Sequence, residues 1–351
     1  MFSVKVLYAL LLVNFQFHCF KSENVTVKLF NMAVLKQKIV IDLEDTNNLK
    51  EVLPRFGYDT LTIEDDNLPV IAKDFLSNLD EVVSIEMLND GIEVLMPGCF
   101  KELQSLRTIS LPQNKIKNIP EGVFDNLNIS SLNLRSNAIE NIDGKALNNM
   151  PNLINIDLEN NNIKIWNSDW FYNTPFVSRI NFRNNSLEKL PANAFNNIQG
   201  NKVYLRVPLK RTLQFSYNRL KTIDIGAFNG LSEINNLWLD HNQLQSFNEV
   251  LIKNAKIEEL RLDGNEIKRL SGNWKNLLEI PFISVDANPF DCDFLRSIKE
   301  WSDENHKKID VFYSDMDCVV NRIKGKMDDI RNRLEQLKEE RMDLTTIEPM
   351  T

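Results

Sequence analysis

A motif of about 24 residues recurs through most of this 351-residue chain. It has apolar residues at its first, fourth, sixth and eleventh positions and asparagine at its ninth, as in LRTISLPQNKI from Leu106 and LINIDLENNNI from Leu153. The asparagine column comprises Asn114, Asn137, Asn161, Asn185, Asn218, Asn242, Asn265 and Asn288, and upstream the same frame holds Asp66 and Asp90. Self-similarity at this period predicts stacked turns, because each unit can bury its apolar side only against its neighbours.

Each position of the motif has a physical role. The central pair of apolar residues predicts a short strand whose inward side chains pack between stacked turns. The asparagine turns the chain out of the strand, and its amide can pair with backbone groups inside the coil. Aromatic residues ten positions beyond this column are expected to fill the opposite side of the core, namely Phe100, Phe124, Phe171, Phe195 and Phe228.

The pattern resembles the extracellular leucine-rich repeats of the 24-residue type, over residues 58–288. The resemblance implies a leucine-rich-repeat solenoid of about ten repeats of 23 to 24 residues, with a parallel β-sheet on its concave face and a C-terminal α-helical coiled-coil segment. The flanking segments are predicted to be an N-terminal cap (21–57), a C-terminal cap (289–318), a coiled coil (319–344) and a polar tail (345–351).

The first segment of the chain predicts export. Residues 1–20 contain one lysine and a long apolar stretch, the layout of a signal peptide, although an uncleaved membrane anchor is the alternative. The apolar run is short for a membrane span. Sequons at Asn24, Asn128 and Asn184 fit a glycosylated, secreted protein. A net charge of -8 argues against general nucleic-acid binding.

Three cysteines lie beyond the predicted signal peptide. The sequence NPFDCDFLRSIKEW resembles the C-terminal cap of extracellular leucine-rich-repeat proteins, with Cys292 and Trp301 at the expected positions and Phe294 in place of the second cysteine. We expect a disulfide between Cys292 and Cys318 that covers the open end of the core. The alternative is that Cys318 bonds to another chain. Cys99 is expected to be a buried free thiol.

One step in the repeat is irregular, because Asn185 and Asn218 are 33 residues apart. The additional residues fall within segment 196–211 and include four cations, Lys202, Arg206, Lys210 and Arg211. The segment is either a basic protrusion for a partner or a tolerated loop insertion, since surface loops accept additional length at low free-energy cost.

The residues do not form a recognisable catalytic or metal site. After the predicted signal peptide only His241 and His306 remain as histidines, and no zinc, phosphate-loop or nucleophile-elbow motif is present. Glu64, Asp65 and Asp66 could form a calcium or catalytic cluster, but a solvated edge explains them more simply. We therefore predict a protein without enzymatic activity, catalytic residues, metal or cofactor.

Binding is the function that remains, and the frame identifies outward strand positions. The residues between the two strand leucines are Thr62, Glu86, Ser110, Asn133, Asp157, Asn181, Gln214, Trp238, Arg261 and Ser284. Trp238 is the exception in this polar row, and we expect it to lie near Arg261 and near three further residues, Tyr217, Asp240 and His241. Tryptophan, tyrosine and arginine are enriched at binding hot spots. The alternative is that these residues occupy the concave face without binding anything.

A second group on the same face is arginine-rich. Arg135, Arg179 and Arg183 are expected to surround Glu159, and we include Arg135 and Arg183 among the candidate binding residues. Asn184 falls on this face too, so a glycan there would block part of it.

The chain ends in an amphipathic helical pattern. Apolar residues in a heptad seam are Val320, Ile323, Met327, Ile330, Leu334, Leu337 and Leu344. The flanking e and g positions are Lys324, Lys326, Arg331, Arg333, Lys338 and Glu340. Because like charges would face each other in a homodimer, we predict pairing with a different chain that has acidic flanks. The alternative is that the helix folds back on its own acidic solenoid.

Together these segments resemble the mosquito leucine-rich immune molecules of the short type. That resemblance implies a haemolymph protein of insect innate immunity, which pairs with a related chain through its coil and binds a complement-like thioester protein or a pathogen surface. Cys292, Cys318 and the heptad seam carry the resemblance, although the chain has fewer cap cysteines and a shorter coil than that family. The alternative function is a secreted adhesion or ligand-trapping protein outside immunity.

Overall fold

The computed structural model describes residues 24–32, 34–42, 48–55, 57–198 and 210–344. The predicted signal peptide and the polar tail therefore lie outside the described residues. Within these ranges no helix has the length and apolar character needed to cross a membrane.

The described chain is built mainly from short strands. In chain order they are β1 (Asn24–Asn31), β2 (Val34–Asp42), β3 (Thr60–Glu64), β4 (Val70–Ile71), β5 (Ser84–Leu88), β6 (Val94–Leu95), β7 (Thr108–Ser110), β8 (Asn118–Ile119), β9 (Ser131–Asn133), β10 (Asn141–Ile142), β11 (Asn155–Asp157), β12 (Arg179–Asn181), β13 (Lys189–Leu190), β14 (Arg211–Gln214), β15 (Thr222–Ile223), β16 (Glu233–Trp238), β17 (Phe247–Asn248), β18 (Lys256–Arg261), β19 (Leu270–Ser271) and β20 (Phe282–Ser284). The α-helices are α1 (Trp274–Leu278), α2 (Cys292–Glu304) and α3 (Phe312–Leu344), and single 3-10 turns cover Leu49–Glu51, Asn196–Ile198 and Glu249–Leu251.

The strands form a solenoid with one large sheet. Its order is β2-β1-β3-β5-β7-β9-β11-β12-β14-β16-β18-β20, and from β3 onward all neighbours are parallel. Two-residue strands pair on the opposite side of the coil, β4 with β6, β8 with β10, β13 with β15 and β17 with β19. The predicted leucine-rich-repeat solenoid with a parallel sheet is therefore confirmed.

The asparagine column forms a hydrogen-bond ladder inside the coil. Asn161 is typical, because its Nδ2 donates to the carbonyl oxygens of Leu134 (3.1 Å) and Leu158 (3.0 Å). Its Oδ1 accepts from the Ile139 N–H at 3.0 Å. Each asparagine thus pairs backbone groups of its own turn and of the preceding turn, which would otherwise be buried without partners.

Aromatic rings fill the side of the core away from the large sheet. Every predicted phenylalanine of this column is buried. The largest cluster centres on Trp166, whose ring centroid lies 4.9 Å from that of Phe195 and 5.3 Å from that of Phe182. The Trp166 Nε1–H donates to the carbonyl oxygen of Ala194 at 3.0 Å. Cys99 is a buried free thiol in this layer, and burial raises its pKa above the ordinary value.

An antiparallel hairpin closes the N-terminal end of the sheet. Strand β1 pairs antiparallel with both β2 and β3. The side chains of Val25, Val27 and Leu29 on β1 are buried. They cover the apolar interior of the first repeat, as the outer turn of a solenoid must.

The C-terminal end is covered by α2 and by the first turns of α3. A disulfide joins Cys292 to Cys318, with 5.7 Å between their Cα atoms. Phe294, at the position of the missing second cysteine, is buried against Phe290 and Trp274. An aromatic contact therefore occupies the position at which the resemblance implied a second cap cysteine.

Helix α3 begins inside the cap and then leaves the solenoid. Its first turn is fixed by Asp286, whose carboxylate accepts from the Tyr313 N–H (3.2 Å) and the Ser314 N–H (3.1 Å). Lys299 of α2 pairs with Asp315 at 2.6 Å. From Val319 to Lys338 every residue is exposed, so this part of the helix does not fold back on the solenoid.

The irregular step falls between β12 and β14, which remain neighbours in register. Residues 199–209, including Lys202 and Arg206, lie outside the described residues. Lys210 pairs with Glu258 at 2.7 Å. Arg211 is buried in β14 and donates to the Ile198 carbonyl, and burial lowers its pKa to about 10. Arg211 therefore belongs to the sheet and not to a protruding loop.

Candidate functional site

The large sheet places one row of outward residues along its concave face. The strand pairing aligns Gln214, Trp238, Arg261 and Ser284 as direct neighbours in successive turns. The remaining members of the predicted row are in register in the same way. The row follows from the alternation of side chains along each strand, because the residue between two buried leucines must point outward.

Trp238 forms a supported pair with Arg261. The guanidinium carbon lies 4.2 Å from the indole centroid, within the range of a cation–π contact. Arg261 Nε donates to Glu259 at 2.6 Å, and the other oxygen of Glu259 accepts from the Asn236 amide. Asn236 in turn accepts from the Thr212 hydroxyl at 3.2 Å. This chain of contacts fixes the arginine on the indole, whose Nε1–H is buried without a partner among the described residues.

The rim of the concave face is formed by the residues that precede the asparagine column. They adopt the left-handed backbone conformation turn after turn, including Asn160 (φ 57°), Asn184 (φ 53°), Tyr217 (φ 57°) and His241 (φ 54°). A non-glycine residue tolerates this conformation at a cost in free energy, which the ladder of backbone hydrogen bonds between turns offsets. Each of these side chains is thereby presented at the same edge of the sheet.

Tyr217 and His241 stack face to face on this rim. Their ring centroids are 4.3 Å apart and the ring planes differ by 8°. His241 Nδ1 is 3.0 Å from Asp240, whose other oxygen accepts from the Ser216 hydroxyl at 2.5 Å. On the other side of the stack, the Arg183 guanidinium lies 4.7 Å from the Tyr217 ring centroid.

The arginine group surrounds a buried carboxylate. Glu159 is 3.1 Å from Arg183 and 3.6 Å from Arg135, and its second oxygen accepts from Asn181 at 3.1 Å. Arg179 is exposed, and its guanidinium donates to the side-chain oxygen of Asn155 at 3.4 Å. The neighbouring Asp157 has a raised pKa, chiefly because of burial.

The structure groups the candidate residues differently from the sequence. Arg261 joins Trp238, whereas Asp240, His241 and Tyr217 form a separate rim cluster with Arg183. Arg183 therefore links this rim cluster to Glu159 and Arg135. Asn184 is exposed on the rim one turn before Tyr217, and its Nδ2 donates to Asn160 at 2.7 Å.

Two residues in the last turns of this face were not anticipated. Phe282 is 71% exposed at the outward position two residues before Ser284, and Glu259 supports Arg261. A cavity of about 440 Å³ lies beside Phe282 and is lined by Arg261, Asp263 and Lys308 among others. The alternation along β20 could have identified Phe282, because it lies on the same side of the strand as Ser284.

The acidic cluster near the N-terminus has structural partners. Glu64 pairs with Lys28 at 2.5 Å, Asp66 accepts from the Thr26 N–H at 2.8 Å, and Asp65 accepts from Asn89 at 2.8 Å. The contacts of Glu64 and Asp66 tie the β1–β2 hairpin to the first repeat, and the contact of Asp65 joins the first repeat to the second. Across the described ranges, no group of three or more histidine, cysteine or carboxylate side chains is arranged to hold a metal ion.

The exposed seam of α3 is a second candidate surface. The predicted positions from Val320 to Leu337 are exposed, and Tyr313 and Met316 continue the heptad spacing upstream. The backbone at Leu344 is helical, and its side chain lies outside what is described. Since Tyr313 and Met316 belong to the turns fixed by Asp286 and Cys318, the seam starts on the cap itself.

Comparison with known proteins supports the same fold. A family model described as a BspA type leucine rich repeat region matches residues 70–202, and a leucine rich repeat model matches residues 211–267. The chain is similar to keratocan of Danio rerio, with 30% identity over 244 residues, 68% of this chain and 64% of that protein. It is also similar to keratocan of Gallus gallus, with 29% identity over 53% of this chain and 55% of that protein. Podocan of Mus musculus is 27% identical over 68% of this chain and 38% of that protein.

Two solved structures share the architecture. One is the Drosophila Toll–Spatzle complex, with a TM-score of 0.58, 21% identity and coverage of 66% of this chain and 30% of that chain. The other is the mouse RP105/MD-1 complex, with a TM-score of 0.59, 20% identity and coverage of 71% and 42%. The chain spans 64% and 55% of the lengths of the two keratocans described above. The repeats, the asparagine ladder and these matches identify the chain as a leucine-rich-repeat protein.

Proposed function

We propose that the protein is a secreted, non-enzymatic scaffold that binds another protein through the concave face of its solenoid. The observation that carries this proposal is the Trp238–Arg261 pair, held on the sheet by Glu259. Side chains that are fixed before binding lose little conformational entropy in the complex. Tryptophan and arginine on a supported surface are also the residue types that dominate binding energies.

Secretion is supported by features spread along the chain. Residues 1–20 have the pattern of a signal peptide, and a disulfide closes the C-terminal cap. The asparagines of the three sequons, Asn24, Asn128 and Asn184, are exposed, as glycosylation requires. We therefore propose an extracellular location for the mature protein.

The α3 seam gives the proposed scaffold a second docking element. Its apolar side chains are exposed, and a helix of this length is marginal in water without a partner. Its flanks are basic at Lys324, Arg331 and Lys338. These features support a hetero-oligomer with a related leucine-rich-repeat chain whose helix has acidic flanks.

A narrower form of the proposal places the protein in insect haemolymph. There it would act in innate immunity with a complement-like thioester protein or a pathogen surface as its partner. Its support is the resemblance in the order of segments, whereas the relatives described above are vertebrate keratocans and a podocan. Adhesion or ligand trapping outside immunity is the competing function. Light scattering of the purified chain, alone and with candidate related chains, separates the two, since the immune scaffold requires pairing with a related chain and adhesion or ligand trapping does not.

The concave-face proposal is tested by paired substitutions. Full-length protein is immobilised as wild type, Trp238→Ala or Tyr172→Ala, and the proteins retained from the extracellular fluid of its source are compared quantitatively. Tyr172 is an exposed aromatic residue outside the strands of the large sheet, so it controls for the loss of a ring. We expect Trp238→Ala to reduce retention of a specific partner at least about tenfold. Equal retention by all three proteins would contradict the proposal.

A further inference from the structure

The charges on the concave face are arranged in layers. The Glu159 side chain is 10% exposed, whereas Arg135 and Arg183, which cover it, are 51% and 43% exposed. The Glu259 side chain is 21% exposed beneath Arg261, which is 43% exposed. In both places the carboxylate lies below and the guanidinium lies at the surface.

The other carboxylates on this part of the face also have internal partners. Asp240 accepts from the Ser216 hydroxyl and contacts His241. Asp263 accepts from the Ser284 hydroxyl and the Asp286 N–H, and burial raises its pKa. Asp286 itself fixes the start of α3. The accessible charge between β9 and β18 is therefore carried mainly by arginine, although the whole chain has a net charge of -8.

These arginines are held in place before any partner arrives. Glu159 restrains Arg135 and Arg183, while the Tyr217 ring supports Arg183 from one side. Arg261 is restrained by Glu259 and by Trp238. A guanidinium has five N–H donors, so donors remain for a carboxylate ligand after these contacts. Arg183 and Arg261 lie three turns apart, which corresponds to about 15 Å at the usual strand spacing.

We propose that the partner presents an acidic polypeptide segment to this face. Its carboxylates pair with Arg135, Arg179 and Arg183 at one end and with Arg261 at the other, and separate apolar side chains pack on Trp238 and on Phe282. This inference rests on the proposed concave-face function and names the chemistry of the ligand. Steering by the arginine surface accelerates association with such a segment.

Fluorescence anisotropy with defined peptides tests the inference. The probes are a labelled 20-residue poly-L-glutamate with one central tryptophan and the same peptide with glutamine in place of glutamate. All proteins are full length and have the five basic flank residues of α3 replaced by glutamine, so that this helix contributes little to binding; these residues are Lys324, Lys326, Arg331, Arg333 and Lys338. In this background Arg183→Gln and Arg261→Gln are compared with Arg269→Gln, whose side chain is exposed, pairs with Asp291 and lies outside the large sheet.

We expect the glutamate peptide to bind more tightly than the glutamine peptide, and we expect its affinity to fall as salt is added. Arg183→Gln and Arg261→Gln should each raise its dissociation constant at least about fivefold, and Arg269→Gln should leave it unchanged. The proposal of an acidic partner is wrong if the two peptides bind equally, or if all three variants lose the same affinity for the glutamate peptide. If the protein binds dextran sulfate through these arginines but does not bind poly-L-glutamate, the ligand is a polyanion of another class and the proposal of an acidic polypeptide is wrong.

Failure of this inference is distinguishable from failure of the proposed function. If Trp238→Ala abolishes retention of the extracellular partner but neither arginine variant weakens retention, the concave face binds a partner that is not acidic. If Trp238→Ala has no effect on retention, the proposed function itself fails.

Discussion

Asp90 stands in the column that asparagine occupies in the following turns, and it behaves differently there. Its Oδ1 accepts from the Asp66 N–H at 3.0 Å, but its Oδ2 is buried without a hydrogen-bond partner among the described residues. In the next turn, Asn114 uses Nδ2 to donate to the carbonyl oxygens of Met87 (2.9 Å) and Leu111 (3.1 Å). An ionised carboxylate cannot donate in this way. Burial accordingly raises the pKa of Asp90 to about 7.

Replacing Asp90 by asparagine is expected to stabilise the protein above neutral pH. The folded-state pKa of Asp90, about 7, lies above the ordinary value of 3.8. The protonated side chain therefore contributes fully to the free energy of unfolding below pH 3.8, and this contribution is lost as the pH rises to about 7. The predicted loss is up to about 4 kcal/mol. Urea unfolding of wild type and Asp90→Asn at pH 5 and pH 8 measures it. The free energy of unfolding of Asp90→Asn should exceed that of the wild type by an amount that grows with pH. Asn114→Asp should instead be less stable than the wild type, by an amount that also grows with pH.

The sequence predicts which residues face outward but not which of them touch. Alternation along each strand is sufficient to place Trp238 and Arg261 in adjacent turns, because strand register follows the repeat. The stacking of Tyr217 on His241 depends on side-chain rotamers, which the repeat pattern does not encode. The support of Arg183 by Tyr217 was missed for the same reason.

At the scale of elements, the regular repeats were predictable from the sequence, and the elements at the two ends of the solenoid were less so. The strands and the asparagine ladder follow from a strict local period. The start of α3 at Phe312 depends on Asp286, a residue of the last repeat that caps a helix distant in the chain. A heptad pattern cannot show this contact, so the sequence placed the start of the coiled-coil segment at residue 319. Strand β1 was missed because no repeat motif marks the N-terminal hairpin.

Removing the Asp286 carboxylate is expected to loosen the start of α3. Asp286→Ala removes the acceptor for the Tyr313 and Ser314 N–H groups, and loss of such a cap costs about 0.5 to 2 kcal/mol. Hydrogen exchange should accelerate at residues 313–316 and remain unchanged in β9 and β11. Asp310→Ala is a control, because its carboxylate contacts only the Phe312 N–H in the first turn, at 3.2 Å. Equal acceleration in both variants would contradict a specific role for Asp286.

At the scale of the whole molecule, the protein combines a solenoid with a projecting helix. The disulfide and the Asp286 contacts fix the direction of α3 relative to the last repeats. The seam therefore starts at a fixed point on the C-terminal cap of the solenoid. The concave face and the seam both present basic groups, which is consistent with partners that carry acidic groups at each surface.

The flank charges of α3 determine whether the seam pairs with itself. In a parallel homodimer Lys326 faces Arg331 of the second copy, and Arg333 faces its Lys338, so the wild type should remain monomeric at about 100 μM in light scattering. Arg331→Glu with Lys338→Glu converts these contacts to attractive pairs and should produce a dimer that high salt weakens. Arg322→Glu with Asn332→Glu and Gln336→Glu makes the same change in charge at outward heptad positions and should stay monomeric. A dimer in the wild type, or no dimer in the first variant, would show that flank charge does not control pairing, whereas dimers in both variants would show that net charge alone does.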